Sequence, residues 1–475
     1  MYLAKNNHFL KRDILDLLDN QTDFLTMTQI VESLKYPSLH AVKSSCHLLK
    51  ENIDQLYDPT ELELIISQRG GVRLKRNNVS LQKLTDNINS QAIAYQLTVQ
   101  LLANKMLNVN RYCEENYLSK STLARYAKKA KIFIKKFGPS GIDITLSDSI
   151  RITGEEAILR ITFYFILKSG YNRLTKVADK KRILKQTKQI LHYLNISVNQ
   201  TQLQHLALWV FVCQNAVDHK WLLQKEENFF TYANSYQYIA QPDFLVDWQA
   251  ADWQLFLLFF YSLGYISVNG AVILKQDDLF KETIDCWFAS FEKYFFAATK
   301  EQKEQMTAVL QHQIQYYRLT QFTDNIQEAI ESPRMPFFEE HYPVYSRKFQ
   351  GFWQDFTLCL PDSTMANGLY ADSLTDCIAL APLDYFMPRL LIYVITETTA
   401  MHMKLIEGII KNYCANYKID FVNDFHEADI IISSVNFVDP LEDWQILINI
   451  RTSLPKNDLK HIYQVVKRLT KEKRR

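Results

Sequence analysis

Residues 119–137 carry two incompatible faces at helical spacing, and this constrains the placement of the stretch more than any other feature of the chain. At about 100° per residue, Leu123, Tyr126, Ala127, Ala130, Phe133, Ile134 and Phe137 share one arc. Lys120, Arg125, Lys128, Lys129, Lys131, Lys135 and Lys136 share the other, and no acidic residue lies between Lys120 and Lys136. The first arc requires a core, whereas the second presents positive charge without a neighbouring acid. Ile142-Asp143-Ile144-Thr145-Leu146 and Ile150-Arg151-Ile152-Thr153-Gly154 then alternate as two strands of a hairpin. A helix followed by a two-stranded wing is the layout of a winged recognition helix. Duplex DNA, with about one negative charge per 1.7 Å, is the complement such a face fits. A solvated helix, or a protein-interaction module, is the competing reading.

The same order occurs once before. Phe9–Leu18 reads as a helix, and Thr26 caps a short amphipathic one that runs to Leu34. Pro37-Ser38 marks a turn and a new cap, after which Val42, Cys46, Leu49 and Ile53 point inward, with His40, Lys43, Ser44 and His47 outward. Alternating Leu62, Leu64 and Ile66, a Gln68-Arg69-Gly70-Gly71 turn, and Val72 and Leu74 predict a hairpin. That hairpin bears Arg69, Arg73, Lys75 and Arg76. In the second unit we expect a long helix (Gln91–Leu107) and a short one (Val109–Tyr117) ahead of the basic helix. Gly154-Glu155-Glu156 then opens another helix, with acids suited to its N-terminal dipole.

Charge is unevenly distributed. The net +2 of the 475 residues resolves into 23 basic against 17 acidic residues over 1–170, 23 against 33 over 171–455, and 8 against 2 over 456–475. A basic front joined to an acidic middle suits a nucleic-acid module coupled to a module with another task. Scarce Gly (11) and Pro (12) favour helices. The richest apolar run, Leu255–Val268, is too short to span a membrane, and the N-terminus shows no signal-peptide pattern. Seven scattered cysteines without a Cys-x-x-Cys pair read as reduced, buried thiols, so we expect a cytoplasmic protein with no membrane association.

Residues 172–388 read as helical and aromatic, without convincing strands. Leu203-Gln204-His205 recurs as Leu310-Gln311-His312, a spacing that suggests two similar bundles of about a hundred residues. From Arg389 the pattern alternates: strands at Leu390–Ile395, Ile419–Val422, Asp429–Ser434 and Gln445–Ile450, with helices at Ala400–Tyr413 and Asn457–Thr470. Alternation of this kind predicts a small parallel sheet. The expected fold class is mainly α and multidomain. It comprises winged helix-turn-helix domains at 1–78 and 79–171, all-α bundles at 172–282 and 283–388, and an α/β parallel-sheet domain at 389–475.

This ordering resembles the Mga/AtxA family of Gram-positive, PRD-containing virulence regulators. The residues that carry the resemblance are Ser119-Lys120-Ser121-Thr122 with Arg125, the Ile150–Glu156 strand-to-helix junction, and the Leu-Gln-His repeat. It implies two DNA-binding domains, two phosphotransferase-regulated (PRD) bundles and a C-terminal domain similar to the sugar-transport component IIB (EIIB-like). It further implies homodimers or higher oligomers, transcription regulation of many genes in response to carbohydrate state, and a phosphotransferase-system phosphocarrier as a partner. An RNA-binding antiterminator and a phosphotransferase-system component are the alternative classes. The first would need a small β-rich module where two helix-turn-helix units stand.

The candidate DNA-reading residues are Lys120, Ser121, Thr122 and Arg125, with Lys128, Lys129 and Lys135 placed for phosphates. In the first unit they are His40, Lys43, Ser44, His47, Arg69 and Arg73, for which a solvated surface is the rival reading. His205 and His312 are the phosphorylation candidates that the resemblance implies. Against this, His205 stands in an apolar run that suits a core histidine, Gln214 lies near the place of an expected Arg, and the Phe256–Tyr261 cluster replaces an expected second His. The loop Thr396-Glu397-Thr398-Thr399 lacks the thiol a IIB phosphotransferase would use, and Cys414 lies at the far end of the next helix. No phosphate-binding loop, dinucleotide motif or metal-ligand spacing occurs, so no cofactor, metal or enzymatic activity is expected.

Overall fold

The computed structural model describes residues 7–35, 38–67, 70–137, 141–169, 179–264, 270–275, 278–320, 338–362 and 365–473. The chain divides into two compact units. The first holds residues 1–282, 307–332 and 364–369, and the second holds 283–306, 333–363 and 370–475.

The first unit begins with helices α1 (Asn7–Asp19), α2 (Met27–Ser33) and α3 (Leu39–Leu56), then strands β1 (Leu62–Ser67) and β2 (Gly71–Arg76). Thr26 and Gln29 close a reciprocal capping box at α2, and Ser38 caps α3. Ile14, Ile30, Val42, Cys46, Leu49, Leu64 and Val72 form one core. Gly71 sits at φ +93°, where an added Cβ would meet the Leu25 carbonyl oxygen at 2.2 Å, so the tight hairpin requires glycine.

Helix α4 (Gln82–Gln91) contributes Leu84 and Ile88 to that same core. The elements that follow are α5 (Ile93–Asn104), β3 (Met106–Asn108), α6 (Val109–Glu115), α7 (Lys120–Phe137), β4 (Asp143–Leu146), β5 (Ser149–Thr153) and α8 (Glu156–Lys168). The sheet order is β3-β5-β4, with Leu107 opposite Ile150 and Ile144 opposite Ile152. The long helix expected to reach Leu107 therefore stops at Asn104. Lys105 turns the chain at φ +62°, and Met106–Asn108 becomes a third strand because β5 offers it an open edge.

Helix α8 is buried on every side from Glu156 to Leu167, as expected of a helix that is apolar all round. Helices α9 (Lys180–Tyr193), α10 (Gln200–Asp218), α11 (Asn228–Ala233) and α12 (Ala250–Ser262) follow. Tyr164 meets both Trp209 and Phe259 edge-on in this interior. One correction applies to a region read as strandless: β6 (Tyr236–Tyr238) pairs antiparallel with β7 (Val272–Leu274).

Helices α13 (Asp278–Tyr294) and α14 (Lys300–Thr320) come next, followed by helices Phe338–His341, Pro343–Cys359 and Ala366–Leu380. In the second unit Trp287 packs on Phe291 and Phe352. Cys286 and Cys359 are paired there, with Cα atoms 5.9 Å apart, a departure from the expectation of seven reduced thiols. The other five cysteines are free and buried. The sheet of this unit is fully parallel, in the order β11 (Ile446–Asn449), β10 (Ile430–Ser433), β8 (Leu390–Ile395), β9 (Ile419–Phe421). Helices Ala400–Tyr413 and Lys456–Lys473 add Ile406, Ile410, Ile462 and Val466 to its core. Every residue of the inner strand β10 is buried, which explains its unbroken Ile-Ile-Ile run.

Candidate nucleic-acid interface

Ser119 starts α7. Its hydroxyl accepts the Thr122 amide at 3.1 Å and lies 2.9 Å from the hydroxyls of both Ser121 and Thr122. Leu123, Ala127, Ala130 and Ile134 are buried, which fixes the rotation of the helix. Lys120, Ser121, Arg125 and Lys128 are exposed, while Thr122 and Lys129 are half-buried. The side chain of Lys135 lies outside the described residues. Tyr126 sits between two cations, with Arg125 5.7 Å and Lys129 5.8 Å from its ring centre.

The basic face is not wholly unopposed. Lys131 pairs with Asp143 on β4 at 2.8 Å, joining α7 to the β4–β5 hairpin. Arg151 stands exposed on β5, its Nε donating to the Ser149 hydroxyl at 3.0 Å. Sequence reasoning did not single it out as a site residue, although its place beside the basic helix in a three-stranded sheet follows from alternation with buried Ile150 and Ile152.

In the first unit His40, Lys43 and His47 are exposed along α3 and Ser44 is half-buried. Arg73 is half-buried, 5.8 Å from the Phe24 ring centre, and Arg76 pairs with Asp19. Arg69 lies outside the described residues.

A buried charge cluster lies behind the second wing. Glu156 accepts from Lys105 Nζ at 2.6 Å and from Arg160 Nε at 2.9 Å. Arg160 also donates to Asp252 at 2.6 Å and to the Trp221 carbonyl at 2.8 Å. Lys105 lies 4.7 Å from the Trp221 ring centre, and its carbonyl accepts the amide of Ile152 in the wing sheet. Burial pulls the Lys105 ammonium below its ordinary range, while Glu156 opposes that shift. Glu155 accepts from Asn228, so both acids at this helix start also make tertiary contacts.

The two histidines differ in setting. His205 is half-buried near the start of α10, short of the fully buried run from Leu206 to Val210. Gln214 is buried and engages Trp248 and Gln186. His312 places Nδ1 2.8 Å from the Tyr261 carbonyl oxygen, with its ring against Tyr261. In the C-terminal loop Thr399 caps the following helix, and Cys414 is buried at that helix's other end.

Burial holds the His312 imidazole below its ordinary value of 6.5, against the opposing effect of the Tyr261 hydrogen bond. As pH falls through 6.5, the unfolded chain takes up this proton before the fold does, so stability declines on the acid side. Above 6.5 both states are neutral and the residue contributes nothing to the pH slope. His312→Gln is expected to flatten this acid limb of unfolding free energy against pH. An identical limb in the variant would assign the decline to other groups.

Helices α6 and α7 followed by the β4–β5 hairpin have the order of a winged helix-turn-helix. The family model described as the Mga helix-turn-helix domain matches residues 77–167, which spans α4 to α8. This supports membership of the Mga-like regulator family, and with it a DNA-binding regulator of the Mga type. Comparison of the whole sequence with curated proteins gives no match. Among the described residues no helix is long and apolar enough to cross a membrane.

Proposed function

We propose that this chain is a transcription regulator that docks α7 into the major groove of duplex DNA and lays the β4–β5 wing along the backbone. The observation that carries this reading is the exposure of Lys120, Ser121, Arg125 and Lys128 on a helix whose opposite face is buried, inside the segment that matches the Mga domain. In this reading Lys120, Ser121, Thr122 and Arg125 approach base edges, and Lys128, Lys129 and Lys135 hold phosphates. Residues 1–78 form a second, auxiliary DNA-binding domain through His40, Lys43, Ser44, His47, Arg69 and Arg73. The protein acts as a cytoplasmic homodimer and controls many genes.

The middle, with bundles at 172–282 and 283–388, would then link DNA binding to carbohydrate state through a histidine phosphorylated by the phosphocarrier. The neutral His312 favoured by burial, with Nδ1 on a carbonyl, keeps the Nε2 lone pair for a phosphoryl group. The 389–475 domain, EIIB-like in its parallel sheet, serves structure or dimerisation, since its first loop offers Thr396, Glu397, Thr398 and Thr399 and no thiol.

The test is a binding titration with duplex DNA against a hairpin RNA of equal length. Neutralisation of about six phosphates gives a slope of log affinity against log salt near −5 for the duplex. Preference for the RNA would favour an antiterminator and overturn this reading. Labelled phosphoryl transfer from the phosphocarrier should be lost in His205→Ala or His312→Ala. Absence of label on the wild-type chain would remove the phosphotransferase link and leave the DNA reading standing.

A further inference from the structure

We infer that Tyr117, in the turn between α6 and α7, is a DNA-contacting residue that anchors the recognition helix through its ring and hydroxyl rather than through charge. The inference rests on the DNA reading proposed above.

The turn closes α6 by two backbone bonds, from the Tyr117 amide to the Glu114 carbonyl (3.4 Å) and from the Leu118 amide to the Cys113 carbonyl (2.9 Å). This pairing places Tyr117 at the left-handed position that glycine ordinarily fills, and its φ is +53°. A tyrosine there is conformationally costly. The ring recovers none of that cost within the chain: it is 97 % exposed, and among the described residues no side-chain hydrogen bond or ring contact engages it. A strained backbone that carries a bare aromatic ring is characteristic of a functional position.

The location indicates what the ring meets. Tyr117 stands two residues before the Ser119 cap, at the same end of α7 as exposed Lys120 and Ser121. A duplex that receives this end of the helix brings a strand past the turn. The phenol can then pack on a sugar and donate to a phosphate oxygen, a contact within the ordinary repertoire of tyrosine. Because the side chain is neutral, it adds affinity without releasing a counterion.

The experiment uses the full-length chain and a duplex recovered by that chain from a random-sequence library. Tyr117→Gly is expected to weaken binding roughly fivefold or more, the low end for an aromatic contact with nucleic acid. Tyr117→Phe should fall between Tyr117→Gly and wild type. Neither should change the salt slope, whereas Lys120→Ala should make it shallower by about 0.9. Since Gly suits the left-handed turn, Tyr117→Gly should melt no lower than wild type. Binding within twofold of wild type, or a loss accompanied by a lower melting temperature, overturns the inference. If Arg125→Glu abolishes binding while Tyr117→Gly does not, the DNA reading stands and this contact falls. If the wild-type chain recovers no duplex, both fall.

Discussion

Arg125→Glu, alone or with Lys128→Glu, is expected to abolish duplex binding while leaving the fold intact. Both side chains are exposed on α7, opposite the buried Leu123, Ala127 and Ala130, so neither substitution disturbs the core. Reversal removes a favourable contact worth about 1–3 kcal/mol and adds repulsion against the phosphates, itself several kcal/mol. The sum corresponds to at least a hundredfold loss, at about 1.4 kcal/mol per tenfold. Gel-shift titration measures it, and an unchanged circular dichroism spectrum with an unchanged melting midpoint shows that the loss is one of recognition. Retained affinity in a folded variant would move the interface away from this face of α7.

Removing Arg160 should cost the fold about 3–5 kcal/mol, the usual penalty for breaking a buried ion pair. The guanidinium is 2 % exposed and holds Glu156, Asp252 and the Trp221 carbonyl together. In Arg160→Ala, Glu156 keeps Lys105 as its partner, but among the described residues Asp252 retains only the Gln249 amide for its charge. A stranded carboxylate is the main source of the loss. Since Lys105 also holds the wing sheet through Ile152, the damage should reach the β3-β5-β4 sheet as well. Urea denaturation followed by circular dichroism gives the free energy. A change below about 1 kcal/mol would mean that water reaches Asp252 and the cluster is open.

Helix α7 was legible because amphipathy is a local, periodic property: Leu123, Ala127, Ala130 and Ile134 fall inward whatever surrounds them. Capping was legible from residue type at Thr26 and Ser38. The parallel C-terminal sheet followed from the alternation of strand and helix patterns. Strand β3 was not legible. Met106-Leu107-Asn108 continues a helical pattern, and only the free edge of β5 draws it into a sheet.

Local periodicity thus determined by itself the helical character of α7, the face of it that turns inward, and its basic charge. Tertiary structure alone decided which charges remain available. It paired Lys131 with Asp143 and withdrew it from the basic face, and it sank Glu156, read from sequence as an acid suited to the helix dipole, against Lys105 and Arg160. It also left Tyr117 bare on a left-handed turn. Spacing along the chain fixes the direction of a side chain relative to its own helix. Its partners come from residues far along the chain, 92 positions away in the case of Arg160 and Asp252, and no local pattern encodes them.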